Sequence, residues 1–173
     1  MAFDQAAKNK VILLYILDTM DVPLQENVFL EIMIENEWVP YMDCKASLAE
    51  LIRAGLVANI STRTNLPRYA ITSDGRECLN HFFHTIPTSL REEIAENIKN
   101  NRISYRKKQD YFSDYYKNTD GTYTVVLRIE TATVSLMELK LNIQSRTTAK
   151  WIFKNWSEKA PVIYEFIHEQ LVE

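Results

Sequence analysis

Glycine, cysteine and histidine are scarce in this sequence. Its 173 residues include three glycines, two cysteines and three histidines. So few glycines exclude the loops that cradle phosphates in Walker-type and dinucleotide-binding sites. Cys44 and Cys78 lie in helix-like stretches without a partner motif, which argues against a disulfide scaffold or a zinc knuckle. We expect both to be buried free thiols.

Long apolar runs are absent as well. No run approaches the roughly 18 to 20 residues that a membrane span needs. The first ten residues, MAFDQAAKNK, lack the basic start and apolar core of a secretion signal. With 46% hydrophobic and 25% charged residues, the chain has the composition of a globular protein with one sizeable core or two small ones. A cytoplasmic protein is therefore expected.

No set of catalytic or metal-binding side chains stands out. His81 and His84 lie three residues apart, which suits two metal ligands, but no third ligand follows at a convincing spacing. The paired carboxylates Glu92 and Glu93 resemble solvated helix charge. No Ser/His/Asp or Cys/His set can be assembled from the sequence. We therefore expect no enzyme, no metal site and no cofactor.

Positive charge is concentrated in the middle of the chain. Residues 1–84 hold seven basic and eleven acidic side chains, a balance of −4, which opposes strong DNA binding. Residues 85–118 have a balance of +2 and the remainder −1. The cations of this segment, interleaved with Tyr105 and followed by Tyr111 and Phe112, are Arg102, Arg106, Lys107 and Lys108. Such a run forms either a nucleic-acid surface or, more often, a solvated helix face.

The first half of the sequence shows helical periodicity three times. Residues 9–17 are apolar on nearly all sides and too long for most strands, which favours a buried first helix. Apolar residues recur at three- and four-residue steps over residues 24–36, and again from Leu48 to Ile52. Gly55 follows the third helix, where glycine readily takes the left-handed conformation that ends helices.

A hairpin and a fourth helix follow. Two short β-rich runs, residues 56–60 and 68–71, flank a polar loop and predict the hairpin. Thr72, Ser73 and Asp74 then offer capping side chains for the fourth helix. The order helix, helix, helix, hairpin, helix is the layout of a winged helix.

Two segments resemble winged helix-turn-helix regulators of the PadR and MarR types. Residues 47–57, SLAELIRAGLV, resemble their recognition helix running into the wing. Residues 68–76, RYAITSDGR, resemble their second wing strand and the start of the next helix, with Ile71 in a position that is Leu in the family pattern. The resemblance implies a transcription regulator that binds duplex DNA as a homodimer. The whole chain also resembles an uncharacterised bacterial family with this winged-helix start and a smaller α/β tail, which implies a regulator-like role without supplying a ligand.

Lys45, Ser47 and Arg53 are the third-helix side chains that we expect to face DNA. Hydroxyl side chains suit close approach, and the two cations can meet phosphate or guanine. Asp43 and Glu50 oppose this use because carboxylates repel phosphate. A solvated or partner-packed helix is the alternative.

Arg63, Thr64, Asn65 and Arg68 are the expected DNA contacts of the wing. Their donors can contact backbone phosphates or reach a minor groove. An ordinary polar hairpin turn is the alternative, and Arg68 can instead belong to the strand.

The second half predicts a linker helix and a small sheet. Residues 85–109 carry the linker helix, continuous or broken near residues 100–101. Three β-rich runs follow, at residues 111–116, 125–129 and 134–143, and predict three antiparallel strands. In the third run the apolar residues change parity between Leu136 and Met137, which indicates a bulge.

Two helices are expected at the end of the chain. Ser145 caps the first and Ser157 caps the second. The apolar face of the sheet, or the helix at residues 88–108, is expected to form a two-fold interface. The side chains proposed for that face of the sheet are Tyr111, Tyr115, Tyr123 and Val125.

The sequence thus predicts an α+β protein in three parts. Residues 1–84 form a winged helix, residues 85–109 a linker helix, and residues 110–173 a small α/β domain that dimerises or senses a small-molecule or protein effector. The expected function is DNA-binding transcription regulation. The alternative is a winged-helix module that binds protein and no DNA, which the acidic balance of the first 84 residues favours.

Overall fold

Six α-helices and two three-stranded antiparallel sheets make up the residues that the computed structural model describes, 4–62 and 67–172. The protein is therefore α+β, as the sequence predicts. It divides into two units, one extending to Tyr105 and the other starting at Arg106. The first five helices are α1 (Gln5–Met20), α2 (Glu26–Glu35), α3 (Tyr41–Arg53), α4 (Ser73–Phe82) and α5 (Thr88–Asp110).

Helix α1 is the centre of the first core. Asp4 caps its start by accepting a hydrogen bond from the Ala7 amide at 2.7 Å. The helix is buried on nearly all sides, as its uninterrupted apolar run predicts. Its buried apolar side chains are Val11, Ile12, Leu13, Leu14, Ile16, Leu17 and Met20.

Gly55 lies just beyond the end of α3, as predicted. Gly55 has a φ of 75°, in the left-handed region. Its amide donates to the carbonyl of Ile52 at 3.1 Å, and the amide of Leu56 donates to the carbonyl of Leu51 at 3.0 Å. These two bonds satisfy carbonyls that the end of a helix leaves without partners. The chain then turns directly into a strand.

The first sheet has the order β1-β3-β2, with β1 at Leu24–Gln25, β2 at Val57–Asn59 and β3 at Arg68–Ile71. The predicted hairpin is confirmed by the antiparallel pairing of β2 with β3. Strand β1 was not expected, since Leu24 fits the helical periodicity of α2. The Leu24 side chain is fully buried in this strand, and the periodicity predicts burial in a helix as well. Periodicity therefore cannot distinguish a two-residue strand from a helix start.

Helix α4 and most of α5 complete the first unit. Thr72 caps α4, and its hydroxyl accepts a hydrogen bond from the Gly75 amide at 3.0 Å. A short 3-10 helix, Phe83–Thr85, leads to α5, which continues without a break from residue 88 to residue 110. Ile94, Ile98 and Tyr105 of α5 are buried in the same core as α1. Most of the segment expected to be a linker is thus part of the first unit's core.

The second unit contains the three predicted antiparallel strands. They are β4 (Tyr111–Lys117), β5 (Tyr123–Glu130) and β6 (Ser135–Ile143), in the order β4-β5-β6. Ile129 lies opposite Met137, and the next pair joins Glu130 to Ser135, which leaves Leu136 as an extra residue. The predicted bulge is confirmed at that residue.

A single helix, α6 (Arg146–Val172), ends the described chain. The prediction of two helices, with Ser157 capping the second, is wrong. Ala149, Trp156 and Ala160 lie on one face of α6 and are buried against the sheet, so packing holds one helix together across Ser157. Pro161 lies inside this helix. No helix in the described part of the chain, α6 included, combines the length and apolarity needed to cross a membrane.

The face of the sheet that we expected to meet a second copy is covered by α6. Tyr111, Tyr115, Tyr123 and Val125 all belong to the core between the sheet and this helix. The expectation that these four residues form a partner-facing surface is therefore wrong. Strand parity placed them on one face but could not show which face the helix covers.

Candidate nucleic-acid interface

Helix α3 has one buried and one exposed side. Cys44, Ser47, Leu48 and Leu51 are buried, and the helix packs against both α1 and α2. The spacing of these four residues, at three- and four-residue steps, is that of one helical face. The opposite side lies in solvent and is the surface available to a partner.

Small and basic side chains occupy part of that exposed side. Ala46 and Ala49 are exposed, and so are the predicted DNA contacts Lys45 and Arg53. Alanine side chains allow another surface to approach the helix backbone closely. Another surface, such as a groove of DNA, can therefore approach the helix backbone at these two positions.

Ser47 does not lie on this side. It was expected to face DNA, but only 5% of it is exposed. The buried arc of α3 is wide enough to include the residue that precedes Leu48, as is usual for a helix that packs on a core. The expectation of an outward Ser47 is wrong, and its hydroxyl is part of the packed side of the helix.

Lys45 is engaged by a carboxylate of α2. Its Nζ lies 2.7 Å from Oε1 of Glu26, with both side chains partly in solvent. The hydrogen bond to Glu26 raises the pKa of Lys45 above its usual value. The ammonium therefore stays charged, but a phosphate has to compete with Glu26 for it.

A second ion pair lies at the middle of α3. Glu50 pairs with Lys10 of α1, and the hydrogen bond from Lys10 lowers the pKa of the Glu50 carboxyl. This pairing neutralises one of the two carboxylates that oppose DNA binding. Arg53 forms no ion pair with any residue that the structure describes, so it is the α3 cation most available to a phosphate.

Exposed apolar residues on α3 are a feature that the sequence reasoning missed. Tyr41 is 49% exposed, Met42 is 74% exposed and Ile52 is 37% exposed. Ile52 was counted with Leu48 among the apolar residues that predict the third helix. In the structure Leu51 is buried and Ile52 is not, since two adjacent residues of a helix point about 100° apart.

The loop predicted to be a wing lies only partly within the residues that the structure describes. Arg63, Thr64 and Asn65 lie outside the described residues, so their DNA contacts stay predictions. Arg68 is described and is only 5% exposed, within β3 opposite Gln25. Its amide donates to Oδ1 of Asn59 at 3.2 Å. Arg68 thus belongs to the strand, the second of its two interpretations, and its expected place on the DNA-facing surface is wrong.

The basic segment of α5 has no exposed aromatic platform at Tyr105. That ring is 6% exposed, and its hydroxyl donates to Oδ1 of Asn97 at 2.8 Å. Arg102 donates to the carbonyl of Thr19 at 2.7 Å. Both side chains stabilise the first unit, so a stacking surface for single strands is not formed by these two residues.

A comparison with known protein families identifies the chain. The family described as Domain of unknown function (DUF4364) matches residues 9–171. The chain belongs to this DUF4364 family. The match covers both units of the structure. No curated protein and no solved structure matches the chain at a significant level.

No metal centre is formed by the described residues. Among them, no group of three or more histidine, cysteine or acidic side chains is arranged to hold a metal ion. His81, one of the two histidines considered as ligands, stacks edge-on against Phe82 with a centroid separation of 5.0 Å. Its ring therefore packs on a neighbour in its own helix.

Proposed function

We propose that this protein is a DNA-binding transcription regulator whose first unit is a winged helix. Helix α3 is the recognition helix, and the loop between β2 and β3 is the wing. The observation that carries the proposal is the exposed side of α3, with Ala46 and Ala49 beside Arg53, at the end of a three-helix segment that leads directly into a hairpin.

The order of elements supports this reading. Three helices precede β2 and β3, α4 follows them, and β1 adds a third strand at the edge of β3. In proteins of this layout the third helix enters the major groove and the hairpin loop reaches the flanking backbone. The resemblance of residues 47–57 and 68–76 to PadR-type and MarR-type regulators falls on α3, β3 and the start of α4.

The chemistry of α3 fits a groove that is read partly by apolar contact. Met42 and Ile52 can pack on thymine methyl groups, and the two alanines leave room for the edges of bases. Arg53 at the end of the helix is suited to a phosphate or a guanine. Because Lys45 is already paired with Glu26, electrostatic attraction by α3 is modest, and the wing cation Arg63 supplies a further phosphate contact.

Replacing Arg53 by alanine tests the proposal. The variant should bind random duplex DNA more weakly than the parent at low salt, since one phosphate contact is lost. Arg76→Ala is the matched control, because Arg76 lies on α4, where it pairs with Asp18 of α1 at 3.2 Å. It removes the same charge from the same unit. Equal affinities for the two variants would overturn the assignment of α3 as the DNA-contacting helix.

A second candidate function is a protein-binding module. Tyr41, Met42 and Ile52 are exposed on α3, and two of its charged residues are neutralised by ion pairs, so the surface also has features of a protein interface. Under this alternative the full chain would show no salt-dependent affinity for duplex DNA. Met42→Ala would then weaken the binding of a protein partner and leave the affinity for DNA unchanged.

The second unit completes the proposed regulator as a dimerising and effector-sensing part. Its α6 leaves large apolar side chains in solvent beyond its contacts with the sheet, which supports a homodimer through this end of the helix. These side chains are Val162, Phe166, Leu171 and Val172. Sedimentation of the full chain should show a dimer at micromolar concentration, and Phe166→Glu should shift it to monomer. A monomeric parent would contradict the dimer.

A further inference from the structure

An apolar groove of about 370 Å³ lies between the second sheet and α6. Leu127 of β5 and Leu139 and Leu141 of β6 form its floor. Trp156 lines it too, and its indole Nε1 donates to the carbonyl of Arg128 at 3.1 Å, so this ring offers only carbon to the groove. The volume lies at the small end of the range for small-molecule sites. The body of any ligand here must therefore be apolar.

The polar side chains of the groove lie along one edge. Thr148, Asn155 and Lys159 line it, and all three are exposed. Their spacing of seven and then four residues places them in one stripe along α6. The apolar residues Ile152 and Ile163 continue the wall toward the floor. A ligand can therefore satisfy polar groups only at one side or one end.

Lys159 gives that edge a positive charge. It forms no ion pair with any residue that the structure describes, and none of the residues lining the groove is acidic. The adjacent Glu158 lies on α6 with its Oε1 3.5 Å from Nζ of Lys107. An ammonium beside an apolar wall favours an anion that is attached to an apolar body.

We infer that this groove binds a medium-chain aliphatic carboxylate, with the alkyl chain on the leucine floor and the carboxylate at Lys159. The inference deepens the effector-sensing role proposed above and rests on it for any effect on DNA binding. Binding itself is independent of that role, because the floor, the polar edge and Lys159 all belong to the second unit. A carboxylate bound in this groove would be the effector of the proposed regulator.

Decanoate titrated into the full chain by calorimetry tests the inference. Decanol and decyltrimethylammonium, which carry the same alkyl chain with no charge or the opposite charge, are the matched ligands. Decanoate should bind most tightly and the cation least. Trp151, which lines the groove and is 63% exposed, should show a blue shift in fluorescence as the chain covers it.

Two pairs of variants locate the site. Lys159→Gln should weaken decanoate binding by up to about fivefold, the range for an exposed ion pair. The affinity for decanoate should then be close to the affinity for decanol. Lys154→Gln, an exposed lysine of α6 that does not line the groove, should leave it unchanged. Leu141→Asp should weaken binding about tenfold or more, because a carboxylate in the floor is unfavourable beside the alkyl chain and repels the carboxylate of the ligand. Leu136→Asp on the same strand is its control.

Three results would overturn the inference: no heat or fluorescence change with decanoate below its micellar concentration, equal affinity for all three ligands, or equal losses in Lys159→Gln and Lys154→Gln. A dimer that Leu141→Asp converts to monomer, together with absent decanoate binding, would show that a second copy fills the groove. These measurements contain no DNA. Their failure is therefore distinct from failure of the DNA-binding proposal, which the Arg53 variant tests.

Discussion

The Nζ of Lys45 lies 2.7 Å from Oε1 of Glu26, so the first turn of α2 holds a cation of the proposed recognition helix. The two residues are 19 positions apart in sequence. Their pairing lowers the positive potential of α3 and places a carboxylate beside the surface that we propose for DNA. If α3 contacts DNA as proposed, removing this acidic side chain should raise the affinity.

Glu26→Gln should bind duplex DNA about two- to fivefold more tightly than the parent at low salt. The substitution releases Lys45 and removes a negative charge near the phosphates, with an effect on the scale of an exposed ion pair. Fluorescence anisotropy with a labelled duplex measures the change. Glu35→Gln, on an exposed position of the same helix, is the control. In the double variant Glu26→Gln, Lys45→Ala the gain should be largely lost, and a gain that survives there would exclude Lys45 as the contact.

Gly55→Val should lower the free energy of unfolding by about 1 to 2 kcal/mol. Gly55 has a φ of 75°, and a Cβ there would meet no atom within 4 Å, so the loss comes from backbone strain alone. Gly55→Asn should lose less, because asparagine tolerates the left-handed region. Urea denaturation measures both. Equal losses for valine and asparagine would contradict strain as the cause.

Gly75→Ala should destabilise the protein for a different reason. A Cβ at Gly75 would lie 2.1 Å from the carbonyl oxygen of Leu56, a backbone atom that accepts a hydrogen bond from the amide of Thr72. The hairpin and the start of α4 must then separate, at a cost of about 1 to 3 kcal/mol, the range for overpacking. Thermal melting measures the loss. An unchanged melting temperature would show that α4 does not approach Leu56 so closely.

Cys44 should react with a thiol reagent only when the protein unfolds. Burial, assisted by the negative charge of Glu26, raises the pKa of its thiol to about 12, so the thiolate is rare at pH 8. The half-buried Cys78 should react first, although burial raises its pKa too. Titration with a chromogenic disulfide, with and without urea, counts the two thiols. A Cys78→Ser variant that still reacts in native conditions would contradict a protected Cys44.

The same thiol gives stability a dependence on alkaline pH. The pKa of Cys44 is raised above its unfolded value of 9.0. Its contribution to folding is therefore fully present below about pH 9 and is lost as the pH rises toward 12, because the unfolded chain releases the proton more readily. Cys44→Ala should flatten this part of the stability profile, and a profile unchanged by that substitution would exclude Cys44 as its source.

Local patterns predicted the parts of the fold that local chemistry decides. Gly55 follows the end of α3 because glycine takes a left-handed conformation without strain. The change of apolar parity beside Leu136 marks the bulge. The continuity of α6 depended on packing instead. Ser157 has a capping side chain, yet Trp156 and Ala160 bind the helix to the sheet on both sides of it.

The candidate site was less predictable than the fold. Arg53 and Lys45 are exposed as expected, but Ser47 and Arg68 are buried. The width of the buried face of α3 and the burial of β3 are set by neighbours far along the chain, so the sequence nearby does not show them. The ion pairs of Lys45 and Glu50 join α3 to α2 and α1, and no sequence pattern records such pairs. The charge that α3 presents to solvent therefore follows from the structure alone.

A salt titration of the full chain binding to random duplex DNA tests the central claim most directly. Each phosphate neutralised by the protein contributes about −0.9 to the slope of log affinity against log salt concentration. With Arg53 and the wing cation as contacts, the account predicts a slope of about −2 or steeper, which Arg53→Ala makes shallower by about one unit. No binding at low salt, or an affinity that salt does not change, would contradict a DNA-binding winged helix.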